Sequence, residues 1–116
     1  MANTITGTLT VAEGVLAALA GYAALESYGI VGMTSPTISD GIAKLLPANR
    51  MRKGVVVNLN EENVVNVDLY VITEHGVNIA EVSRMLSEKV EYVLTTYAQM
   101  NVESVNVHVQ GVKVRD

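Results

Sequence analysis

Two short polar sets at alternate positions, Asn66, Asp68 and Tyr70 in one segment and Asn106, His108 and Gln110 in another, are the residues of this chain best suited to site chemistry. Asp68 and His108 can form a hydrogen-bonded pair or supply two metal ligands where neighbouring strands bring them together. One imidazole and one carboxylate fall short of the three protein ligands that a catalytic metal site takes. None of the serines stands in the G-x-S-x-G turn that raises a hydrolase nucleophile. There is neither a Walker A loop nor a G-x-G-x-x-G run. The Gly29-Ile-Val-Gly32 segment has the glycine spacing of a KH loop but lacks its basic flanks. The sequence therefore names no catalytic, cofactor-binding or metal-binding residue and predicts a non-enzyme. The six polar residues are read as a recognition surface for a partner or a second copy ahead of a metal or acid/base site, with plain solvent-facing polarity the more ordinary reading of all.

These residues need a sheet to hold them. Val65, Val67, Leu69 and Val71 share one parity and alternate with Asn66, Asp68 and Tyr70, the pattern of a strand with one dry face. Upstream, Val55, Val57 and Leu59 alternate in the same way, and Asn60-Glu-Glu-Asn63 between the two runs suits a four-residue turn. The pair reads as a β-hairpin at the centre of a sheet. Val105, Val107 and Val109 alternate with Asn106, His108 and Gln110 in a last strand over 102–114, with a bulge allowed by Gly111.

Around this sheet the pattern predicts a short first strand over Ile5–Val11, then a helix whose apolar stripe is Val15, Leu19 and Tyr22, with Glu13 complementing its dipole and Gly29 ending the segment. A short edge strand follows at 29–33. Ser39 or Asp40 is expected to cap a short helix carrying Ile42, Leu45 and Leu46, which Pro47 stops. Arg50, Arg52 and Lys53 read as a solvated lead-in to the hairpin. A long helix capped by Asn78, with Glu81 three residues on, presents Ile79, Val82, Leu86, Val90, Val93 and Tyr97 to the sheet, with Met85 and Leu94 beside them. The expected fold is α+β: a single mixed β-sheet with a central hairpin, two longer helices on one face, and one short helix.

The length of 116 residues predicts a single domain over 1–116. A hydrophobic fraction of 49% with no Trp or Phe implies a core of Val, Leu, Ile and Ala, and some of that surplus points to burial against another copy or a partner. The net charge of −4 argues against nucleic-acid binding, and the absence of cysteine rules out thiol chemistry and fits a reducing compartment. The N-terminal residues lack an export pattern and no apolar run is long enough to insert in a bilayer, so a cytoplasmic protein is expected.

The runs VNVDLYVITEHGVNIAEV and VESVNVHVQGVKV, together with GTLTVAEGVLAALAGYAALESYGIVGM and ISDGIAKLL, resemble the alkaline shock protein family, also called the envelope stress response family of Gram-positive bacteria, over nearly the whole chain. The resemblance implies a non-enzymatic, self-associating cytoplasmic protein. It would support envelope stress tolerance by docking on a membrane-anchored or soluble partner, and would sit at the membrane only through that partner. The alternative it leaves open is a regulatory module for a fatty-acid or lipid-metabolic enzyme, sensing a small ligand between helix and sheet. It carries over no catalytic residue and no cofactor.

Overall fold

A computed structural model describes residues 2–37 and 43–114, with side chains from residue 12 onward except that of Ala48. The described elements are α1 (Ala2–Leu25), β1 (Ile30–Met33), a 3-10 helix (Ala48–Gly54), β2 (Val55–Leu59), β3 (Val64–Glu74), α2 (Ile79–Tyr97) and β4 (Asn101–Lys113). The class is α+β. β3 is the spine of one mixed four-stranded sheet. Along one edge it pairs antiparallel with β2 (Val55 opposite Leu69) and further on with β1 (Met33 opposite Val71). Along its whole other edge it pairs parallel with β4, from Val64 opposite Asn101 to Glu74 opposite Lys113. The hairpin thus lies in the sheet as expected, with β3 central and β2 sharing an outer position with β1.

Val65, Val67, Leu69 and Val71 are all fully buried. They form one core with Leu16, Ala17, Ala20, Ala23 and Ala24 of α1 and Val82, Leu86, Val90 and Leu94 of α2. Both helices therefore lie on this face of the sheet. The alanines bring the α1 backbone close, and Gly21 sits against Met51, which the 3-10 helix turns inward at 4% exposure. Of the basic cluster, Arg50, Arg52 and Lys53 are exposed, and they lie in this 3-10 helix rather than in an extended lead-in.

Several expectations change. Residues 5–11 are the first turns of α1, not a strand. Both ladders of β3 are already taken, and a helix that has nucleated gains one backbone hydrogen bond for each residue it adds, which favours growth of the alanine-rich helix back through Ile5–Val11. The buried stripe of α1 is also rotated. Val15 and Tyr22 are 54% and 61% exposed, while the small residues face the sheet. In α2 the buried residues are Val82, Leu86, Val90 and Leu94, while Ile79, Met85 and Tyr97 are exposed. The expected short helix cannot be assessed at Ser39, Asp40 and Ile42, which lie outside the described residues. Leu45 belongs to no helix and forms a bridge with Thr34, and Leu46 donates its N–H to the Met33 carbonyl. The short helix of this fold is the 3-10 segment instead.

Local chemistry explains the remaining boundaries. Asn60 Oδ1 accepts from the N–H groups of Glu62 and Val64, and Asn63 adopts φ 64°, closing the hairpin. Asn78 Oδ1 accepts from the Glu81 N–H at 3.1 Å, as a helix cap should. The Glu81 side chain pairs with Arg84, and that hydrogen bond followed by the guanidinium charge holds its carboxyl below the usual range.

Glu13 has a role the sequence did not suggest. It lies well inside α1, where its carboxylate accepts the backbone N–H of Leu59 at 3.1 Å and so occupies part of the outer edge of β2. Glu13→Ala is expected to cost about 0.5–1.5 kcal/mol, since it removes one partner of a part-buried hydrogen bond. Urea denaturation checks this, and Glu13→Gln should recover most of the loss because its amide oxygen still accepts.

Candidate functional site

The face of the sheet opposite the helices carries the polar residues of β3 and β4. Parallel pairing puts Asp68 beside Asn106 and Tyr70 beside His108, so the parity read from each strand coincides on one surface. His108 Nε2 donates to Asp68 Oδ1 at 2.9 Å, and the His108 and Tyr70 rings stack with centroids 4.5 Å apart and planes 11° from parallel. The side chains are 42% exposed for His108 and 27% for Asp68. An imidazole held by a carboxylate on one side and a ring on another has little rotamer freedom left to lose.

Asn66 joins a second group on the same face. Its amide nitrogen donates to Glu103 Oε2 at 3.0 Å, and its oxygen accepts from Ser104 Oγ at 2.6 Å. Ser104 shares the parity of Asn106 and His108, so carrying the alternation back one step would have found it. Glu103 could not be found in that way, because the pairing register shifts between Val65 and Asn66 and places an extra residue in β4. Asn106 is exposed between the two groups.

Gln110 departs from the pattern. The register shifts again between Val71 and Ile72, beside Gly111, and Gln110 donates its amide to the carbonyls of Ser35 and Pro36 at 3.2 and 3.3 Å. It anchors the segment after β1, so its amide nitrogen is already engaged, whereas Asn106 is exposed. Next to it lies an open groove of about 550 Å³, lined by Ala43, Lys44, Leu45, Ile72, Gly111 and Lys113 among others.

The face can accept and donate hydrogen bonds and offers an aromatic pair for stacking. Among the described residues no group of three His, Cys, Asp or Glu could hold a metal ion. No described helix is long and apolar enough to cross a membrane.

Comparison with known proteins identifies the fold's relatives. The chain is 38% identical over 109 residues, 93% of its length and 90% of the relative's, to the uncharacterized protein YloU of Bacillus subtilis (strain 168). It is 36% identical over 113 residues, 97% of its length and 93% of the relative's, to the uncharacterized protein Spy1614 of Streptococcus pyogenes serotype M6. No solved structure matches it significantly. The model of the Asp-23 (alkaline shock protein) family, cell envelope-related function, matches residues 1–114, and the chain belongs to that family.

Proposed function

We propose that this protein is a non-enzymatic, self-associating interaction protein of the cytoplasm. It supports the cell-envelope role of its family by docking on a membrane-anchored or soluble partner through the open sheet face. The observation that carries this reading is the ordered cluster of Asp68, Tyr70 and His108 on a face that neither helix covers. Side chains fixed before contact lose little entropy on binding, which favours a recognition role. Asn66 and Asn106 extend the surface, and Gln110 holds its rim.

Affinity capture of the tagged protein from detergent-solubilised cells, run in parallel with an Asp68→Ala/His108→Ala variant, tests the proposal. The expected result is an envelope or membrane-anchored protein retained by the wild type and lost by the variant. The variant should unfold within about 1 kcal/mol of the wild type, because its changes are on the surface. Equal capture by both proteins would remove this face from the reading. A lipid-metabolic enzyme retained in the same way would make the protein a regulator of that enzyme.

A further inference from the structure

The two outer edges of the sheet are treated differently by the fold. On the β2 side, Glu13 reaches from α1 and takes up the outward N–H of Leu59. On the other side β4 runs for 13 residues, pairs with β3, and has no further strand beside it among the described residues. An uncovered edge of that length presents a row of backbone donors and acceptors, which folds keep apart with proline, inward charge, bulges or a covering segment; the two bulges of β4, at Glu103 and Gln110, leave 104–109 as its regular stretch. β4 contains no proline, and from Ser104 to Val112 it contains no Asp, Glu, Lys or Arg.

Two further observations concern the same edge. Val105, Val107 and Val109 have the parity of the fully buried β3 residues yet are only partly buried, so the apolar side of β4 is incompletely covered. Where α2 passes over the middle of β4, a shallow groove of about 440 Å³ is lined by Ser83, Arg84 and Ser87 of the helix and by Val107, His108 and Asp68 of the sheet, among others.

We infer that β4 pairs edge to edge with β4 of a second copy, antiparallel about a two-fold axis, joining two four-stranded sheets into one of eight strands. The occupant and its direction follow from charge. Within β4 the acidic residue, Glu103, lies near the start and the basic one, Lys113, at the end, with the uncharged stretch between them. Antiparallel pairing of two copies sets each Glu103 toward the partner's Lys113, whereas parallel pairing would set like charges together. The two-fold arrangement also closes on itself and leaves the guarded β2 edges at the ends of the joined sheet. The inference rests on the self-association proposed above and assigns it to the backbone edge of β4, which borders the Asp68–His108 face.

Light scattering across a concentration series, combined with amide hydrogen exchange at the two ends of that series, tests it on the wild-type chain. A dimer is expected at high concentration, with amides in 104–112 exchanging about tenfold or more slowly than in the dilute monomer. Lys113→Glu should weaken the dimer by about fivefold, because both symmetric contacts become repulsive, and Glu103→Lys/Lys113→Glu should restore it. A dimer whose β4 amides exchange equally fast at both concentrations would overturn the edge pairing and leave self-association standing. A dimer protected at β4 but indifferent to Lys113→Glu would overturn the antiparallel arrangement. A monomer throughout would remove both readings.

Discussion

Leu69→Ala is expected to lower the unfolding free energy by about 2–5 kcal/mol, the range for truncating a buried leucine. Leu69 has no exposed surface and stands in the middle of β3, with Val55 of β2 on one side and Val107 of β4 on the other. Three strands and the helical layer meet at this residue, so its environment has little freedom to collapse into the space left behind. Small domains are stable by only about 5–15 kcal/mol, and a loss of this size should lower the melting temperature by roughly 8–20 °C. Thermal and urea unfolding followed by circular dichroism would measure it. A loss below about 1 kcal/mol would mean that the face holding Leu69 is not the core and that the strand parity is inverted.

Gly29→Ala should cost about 2–5 kcal/mol by two separable causes. The backbone at Gly29 has φ 83°, a conformation that costs a residue with a side chain about 1–2 kcal/mol. A Cβ at that position would also lie 2.6 Å from Cγ2 of the buried Val82, so α2 would have to move or the valine leave its rotamer. Overpacking of this kind costs about 1–3 kcal/mol. A double-mutant cycle separates the two. With Val82→Ala the obstructing methyls are gone, and Gly29→Ala should then cost only its backbone share. Equal costs in both backgrounds would show that contact with α2 is not what requires glycine here.

Alternation made β3 legible because one of its faces is dry and the other wet, and a period of two then fixes every side chain from Val65 to Val71. The Asn60 and Asn78 side chains act within four residues of their own positions, so the hairpin turn and the start of α2 could be read locally. The open face followed from the same alternation at Asn66, Asp68, Tyr70, Asn106 and His108. It missed Glu103, because an irregular pairing step in β4 adjoins that residue. The stripe of α1 was illegible for a different reason. Between Gly14 and Leu25 the chain carries no charged residue, so no polar side marks which way the helix turns, and alanines rather than Val15 and Tyr22 were chosen by the closeness of the sheet. Glu13 acts on Leu59, 46 residues away in sequence, a distance over which spacing carries no signal.

The parallel ladder between β3 and β4 sets an order of events as the chain folds. Antiparallel β2 and β3 are joined by a four-residue turn and can meet within microseconds. The first parallel pair, Val64 with Asn101, closes only after the whole of α2 has been traversed, and non-local closures of this kind are slow. Until then the long side of β3 that β4 will occupy is bare, flanked by the valines destined for the core. The nascent protein therefore passes through a stage with an adhesive strand exposed, and the speed with which α2 swings its successor into place governs how much of the chain escapes aggregation.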